Sequence, residues 1–457
     1  MLLRSLAIGL TVLVVAPAHA DPIDEIVERY RTVSHIPGVA VAVVERGKVE
    51  KLQAYGLANL EWSGPVTIDT PFQTASASKI FTGVLIMRLV EQGTISLDDP
   101  LTRFFPDAPE TWRAITVRHM ASHMSGLPEQ LGLSSSATPQ EFVKAAMGRP
   151  LAYEPGSQSR YGFTDFIVFT AALEKATGLS YPDLLKREIA TPLGLTGTGF
   201  DFATDGAPAK ETELRRRATT YYWDGSRQFE DRFLYPIHGY AAGGIFSSAR
   251  DLAALFAAID DGQFLKPESF KLLTTPAPLK DGRPGEFAIG WTASVYRGEP
   301  VYGHSGGPAL ADIMYVPRRD MTIVALGNQR RFFPLLAQSI ADTRLPAPLP
   351  RRAIRDRNPA LTRTVRSVLT QAGGGAPEAA SFNAEGAGAR DFLSHFGGAL
   401  LTAVGPIQSI EALSEAILGT DVRRSYRIRF ESRDMVWVAR TDRGGLIAEL
   451  RPGGDNE

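Results

Sequence analysis

The chain has 457 residues, 22% of them charged and 44% hydrophobic, with a formal net charge of −1. That balance excludes a broad electrostatic pull toward nucleic acid or anionic membrane, and the length allows two or three domains with ample core. With no cysteine, disulfides, thiolate metal sites and a lipid-modified N-terminal Cys are excluded as well.

The start has the layout of an export signal. Arg4 gives a short positive segment, residues 6–15 an apolar one, and Ala18-His19-Ala20 a small-x-small cleavage site. The apolar run is too short for a membrane span, so a protein starting at Asp21, periplasmic or secreted and without an integral membrane segment, is expected. Residues 21–31 suit an amphipathic helix. After Pro37-Gly38, the Val-rich run 39–44 suits a buried strand, and Arg46-Gly47 turns it into a second strand over 49–55.

Thr74-Ala75-Ser76-Ala77-Ser78-Lys79 opens a run that is apolar nearly all round and stops at Gly93, the pattern of a helix buried within a domain. Residues three apart share a helix face, so the Ser76 hydroxyl and the Lys79 amine meet within the first turn. A serine hydroxyl needs a base beside it to act as a nucleophile. Burial and the positive end of the helix dipole both disfavour the lysine's charge. Taken alone, the pair reads more readily as a helix cap and a solvated lysine, because a three-residue spacing recurs by chance in chains of this length.

Downstream, His119 and His123 have metal-ligand spacing on a helix but lack a zincin glutamate and a third ligand, so structural hydrogen bonding is the expectation. Tyr161-Gly162-Phe163 precedes a helix that ends at Gly178. Residues 205–235 are polar and aromatic and read as a long irregular excursion, and Ser248 to Asp251 is a capping box for a helix through 259. Strands are expected over 286–295 and 300–303, followed by His304-Ser305-Gly306-Gly307 and a hairpin from 313–316 and 321–326. The Pro-rich piece from 345 to 350 and the arginines after it mark a linker. Beyond it, helices are expected over 391–404 and 409–418, and short strands over 426–430, 435–438 and 446–450.

Taken together, the stretch around Ser76 and Lys79, then Tyr161, then His304 to Gly307 resemble the three motifs of serine β-lactamases and penicillin-recognising peptidases. They are most similar to the class C β-lactamase-like branch, which includes esterases and D-amino-acid peptidases. Leu97-Asp98-Asp99-Pro100, His123 to Pro128 and Ala242-Gly243-Gly244 sit in the family's order. The tail looks like small cystatin-like modules attached to some relatives.

The resemblance implies a mixed α/β fold, with an antiparallel sheet, flanking helices and a helical lobe. It implies a hydrolase domain over 21–345, a linker over 346–390 and a small α+β module over 391–457. Ser76 would be the acylated nucleophile, Lys79 and Tyr161 would share the proton traffic, and the N–H groups of Ser76 and Gly307 would form the oxyanion hole. His304, Ser305, Gly306 and Phe163 would line the substrate. A phenol beside an ammonium should ionise more easily, and glycines 306 and 307 should let a substrate approach the strand.

Two departures bear on substrate. Phe163 replaces the asparagine expected in the Tyr motif, and His304 replaces a permanent cation that would meet a substrate carboxylate. The expectation is an exported serine hydrolase, esterase-like and cofactor-free, acting on a small ester, amide or peptide. A D-stereospecific peptidase, a weak β-lactamase and a non-catalytic binder on the same scaffold are the alternatives. Oligomeric state is left open.

Overall fold

The computed structural model describes residues 21–201, 214–307, 310–330, 335–346 and 351–454. The expected signal segment, residues 202–213 (which include 205–213 of the excursion) and 347–350 of the Pro-rich piece lie outside the described residues.

A seven-stranded antiparallel sheet organises the mixed α/β fold. Its order is Gly64–Pro65, Lys48–Asn59, Gly38–Glu45, Met321–Gly327, Ala311–Val316, Glu299–Gly306 and Thr292–Tyr296. The strand Gly38–Glu45 joins the two ends of the domain, with Val39 opposite Tyr55 on one side and Gly327 on the other. Its unbroken apolar run follows from burial on both faces. Ala40, Ala42 and Val44 enter one core, and Val39, Val41 and Val43 enter a second core behind the sheet.

The helix Ser78–Glu91 fills the front core, burying Ile80, Phe81, Val84, Leu85, Met87 and Leu89. Each such side chain is worth ~1.5–3 kcal/mol relative to exposure, which fixes the helix firmly enough to serve as a platform. Gly93, at φ 71°, turns the chain away at its end. The helix Thr164–Thr177 packs on the same core and forms part of the helical lobe. Ser248 caps Ala249–Asp260 as its sequence predicts, accepting the Asp251 N–H at 3.1 Å.

Behind the sheet, the helices Pro22–Val33 and Leu336–Ala341 share one hydrophobic cluster with the tail helices Pro359–Gly374 and Gly398–Val404. The tail sheet contributes Tyr426, Ile428, Trp437 and Leu450 to that cluster. The stretch expected to be a linker therefore carries a 16-residue helix with Leu361, Val365, Val368 and Leu369 buried. Residues 409–418, expected helical, lie in the strand Ile407–Leu418, which pairs antiparallel with Asp421–Phe430 across a Gly419-Thr420 turn. The described part of the 205–235 excursion is irregular, as expected, apart from two short strands. Tyr221–Trp223 and Gln228–Glu230 form a hairpin beside Gln329–Arg330.

Candidate active site

Ser76 stands on a 3₁₀ turn, Ala75–Ala77, immediately before the helix rather than inside its first α-turn. A 3₁₀ turn has three residues, which is why Ser76 and Lys79 still line up. Thr74 donates from its N–H and its hydroxyl to the Ile245 carbonyl (3.0 and 2.7 Å), and Ser78 Oγ accepts the Ile245 N–H at 3.0 Å. These bonds hold Ala75 at φ 46°, a conformation that a Cβ-bearing residue seldom adopts.

The Lys79 side chain is fully buried and donates to the Tyr161 hydroxyl at 2.9 Å and the Ala242 carbonyl at 2.7 Å. Burial pushes its ammonium down to about 7, with the carboxyls of Asp165 and Glu129 working the other way. Tyr161 departs from the sequence-based expectation. Burial of its hydroxyl raises the phenol above its ordinary value, outweighing the bond to the Ser76 hydroxyl that favours ionisation. The residue as a whole remains 44% exposed. Lys79 is thus the group that titrates near neutrality, and Tyr161 stays a neutral phenol.

His304 is buried. Its Nδ1 lies 2.7 Å from the Ser305 carbonyl, so this nitrogen carries the hydrogen. Nε2 is buried with no hydrogen-bond partner among the described residues. Burial first, then the Lys79 charge, lower the imidazole to about 3, so it is neutral at any ordinary pH. Ser305 is exposed and, by strand alternation, points away from the side His304 occupies. Gly306 serves a different purpose from the one expected. A Cβ there would lie 1.9 Å from the Thr74 carbonyl oxygen, so the glycine lets the strand sit on the nucleophile turn. Around Gly307 a Cβ would meet nothing within 4 Å, which leaves its backbone open to the cleft.

Phe163 packs its ring 6.1 Å from that of Tyr235, a residue sequence reasoning missed. A Cβ at Gly243 would come within 2.3 Å of the Tyr235 ring, and one at Gly239 within 3.5 Å, so two glycines and Phe163 form its slot. The Tyr235 hydroxyl, raised to about 12 by burial, is a hydrogen-bonding neighbour of Ser76. Two phenols therefore flank the nucleophile, one paired with Lys79 and one not. Behind them lies a second missed group: Ser125, Glu129 and Asp165, with His123 making contacts to Asp165 and Gly162. His119, by contrast, caps its own helix through Thr116. Among the described residues no group of three or more His, Cys, Asp or Glu is placed to hold a metal ion.

A family model described as Beta-lactamase matches residues 23–345. The chain belongs to the Beta-lactamase family. Penicillin-binding protein 4* of Bacillus subtilis (strain 168) is 26% identical over 63% of this chain and 67% of its own length. D-amino acid amidase from Ochrobactrum anthropi SV3 shares the fold at a TM-score of 0.57 and 25% identity, covering 67% of this chain and 91% of that one. The octameric penicillin-binding protein homologue from Pyrococcus abyssi is 20% identical, with a TM-score of 0.61 over 94% of this chain and 98% of its own, so its fold likeness extends through the tail. The chain spans about two thirds of the length of the curated relatives it matches.

Proposed function

We propose that the protein is an exported serine hydrolase that forms an acyl-enzyme at Ser76 and acts on a neutral ester or small amide. Ser76 Oγ attacks the substrate carbonyl carbon while its proton passes, through the Tyr161 hydroxyl, to the neutral amine of Lys79. A base near 7 is well matched to this work at neutral pH. Tyr161, held as a phenol, relays a proton without becoming a phenolate. The N–H groups of Ser76 and Gly307 receive the oxyanion, each worth on the order of 3 kcal/mol. The leaving group departs with a proton returned by the same pair, and water repeats the sequence to free the enzyme.

The observation that carries the substrate class is the neutrality of His304. The position where a fixed cation would meet a substrate carboxylate holds a buried imidazole beside Lys79 instead. Phe163 adds an apolar wall. Likeness to an enzyme named for amino acid amides supports small amides beside esters.

The test is kcat/KM for a neutral short-chain ester and for a carboxylate-bearing β-lactam at pH ~7.5, in the wild type and in His304→Lys, with Ser76→Ala as the blank. The wild type should prefer the ester. The substitution should move the ratio toward the β-lactam by up to about 1–2 kcal/mol, the worth of a partly solvated ion pair. A wild-type preference for the β-lactam would overturn the neutral-substrate reading, and turnover by Ser76→Ala the acyl-enzyme.

A further inference from the structure

We propose that Asp165 works as a neutral carboxylic acid and is a positioning residue, its proton locking His123 onto the Gly162 amide and so setting the Tyr161 phenol against Lys79. The inference rests on the Ser76 chemistry proposed above and adds a residue to it.

The assignment follows from which groups can only donate. The Gly162 backbone N–H points at His123 Nδ1 at 3.2 Å, so that nitrogen presents its lone pair. Asp165 Oδ2 lies 3.2 Å from the same nitrogen. Two lone pairs facing each other would repel in a site from which water is excluded, so Oδ2 carries the hydrogen and donates it. The other carboxyl oxygen, Oδ1, accepts from the Ser125 hydroxyl. Ser125 Oγ in turn accepts the Leu127 N–H at 2.9 Å, which leaves its own hydrogen for Asp165. Every donor in the chain then meets an acceptor, the Gly162 N–H and the Asp165 O–H sharing the one Nδ1 lone pair, and moving the Asp165 proton to Oδ1 sets two lone pairs face to face.

Comparison with the neighbouring carboxyl group shows why Asp165 is the acid kept neutral. Glu129 accepts the Thr164 N–H (3.2 and 3.4 Å) at the start of the 14-residue helix Thr164–Thr177, where the dipole favours a negative charge. A Cβ on Gly162 would lie 2.5 Å from Glu129 Oε1 and 3.4 Å from Asp165 Oδ2, so both carboxyl groups press on one peptide. Burial and the Asp165 charge raise Glu129 as well, but backbone N–H donors at Thr164 and Phe163 hold its charge, whereas Asp165 is buried and accepts only from a side chain. Burial accordingly raises it to about 8, against the Ser125 bond and the Lys79 charge. The groups facing it are Lys79 from the nucleophile helix, His123, Ser125 and Glu129 from the 123–129 segment, and Tyr153.

Two effects on the chemistry follow. The chain from Asp165 through His123 to the Gly162 amide anchors the residue adjacent to Tyr161, whose ring packs 4.6 Å from the imidazole. An ionised Asp165 would favour the Lys79 ammonium, so a neutral one makes it easier for Lys79 to lose its proton.

Asp165→Asn tests this, because an amide reproduces the protonated acid: its NH₂ donates to His123 and its oxygen accepts from Ser125. Asp165→Ala should lower kcat by about 10–100-fold, as Ser125 and His123 lose their partner and the Tyr161 loop its anchor. Asn should recover most of that loss, and the decline in kcat/KM above about pH 8, where wild-type Asp165 ionises, should disappear. Loss in Asp165→Asn equal to that in Asp165→Ala, or an unchanged alkaline decline, overturns the proposal. Nitrogen-15 NMR of the wild type gives a second measurement that needs no variant. His123 should be the neutral tautomer with a bare Nδ1, and a hydrogen on Nδ1 would overturn the assignment. Should Ser76 take neither an ester nor an amide, the hydrolase reading fails, while the His123 tautomer still decides the state of Asp165.

Discussion

Replacing Lys79 with methionine should abolish turnover and, at mildly acidic pH, make the protein more stable. The ammonium is fully buried, and its move from 10.5 to about 7 measures what the fold gives up to hold it. At ~1.4 kcal/mol per tenfold change, the cost is about 5 kcal/mol wherever the group is charged in both states. Methionine fills a similar volume without the charge, but it leaves the Tyr161 hydroxyl and the Ala242 carbonyl without Lys79, at ~1–3 kcal/mol each. The net expectation at pH ~6 runs from ~1 kcal/mol against Lys79→Met to ~3 kcal/mol in its favour, centred on a modest gain.

The sign of the pH dependence is fixed by the depressed value. Between 7 and 10.5 the unfolded chain holds the Lys79 proton and the folded one does not, so wild-type stability rises with pH across that window. Lys79→Met lacks this contribution, while Asp165 is present in both proteins. Urea midpoints measured at pH ~6 and ~9 should therefore show the variant's advantage shrinking by about 2–3 kcal/mol. A gap that does not change with pH, or a variant markedly less stable than the wild type at pH ~6, would refute the account of Lys79 as a buried cation close to release.

Two further outcomes are expected. Tyr235→Phe keeps the ring in its glycine slot and removes only the hydroxyl, so kcat should fall by about 10–100-fold with KM little changed; unchanged turnover would remove Tyr235 from the machinery. A chain ending at Leu345 strips the tail's side chains from the rear core shared with Val27, Val41 and Ile340, and should be insoluble or unfold without a cooperative transition; a sharp calorimetric transition with Ser76 still labelled by a fluorophosphonate would show the tail to be separable.

Much of the front half of this architecture is legible in the sequence because its signals are local. The run 39–44 is apolar at every position, and only a strand covered on both faces accommodates that. Lys79 lies three residues from Ser76, a spacing that brings them together in a 3₁₀ turn as well as in an α-helix. The misreadings have an equally physical origin. Residues 409–418 include Glu, Ala and Leu, with Ile410, Leu413 and Ile417 at helical spacing, so local preference and periodicity both pointed to a helix. Pairing along the whole of Asp421–Phe430 overrode them. The segment before Gly373 reads as one short helix within a linker, because the Pro-rich and arginine-rich stretch just before it masks the full length of the helix over 359–374. Tyr235 and Asp165 carry no motif at all. An acid in the first turn of a helix ordinarily needs no explanation beyond the dipole, and a tyrosine in a loop ordinarily marks nothing. What separates them from ordinary residues is the company they keep in space, Gly239 and Gly243 for one, Ser125 and His123 for the other.

The strand that ends at Gly306 rests directly on the carbonyl of Thr74, with no side chain between them to compress or slide. Nucleophile turn and oxyanion strand, more than 200 residues apart in the chain, consequently move as one block. On the proposed acyl-enzyme chemistry, Tyr161 is tied to that block through Lys79, which leaves Phe163 and Tyr235 as the adaptable side, and the breadth of acyl groups accepted would be set by how far those two rings can part.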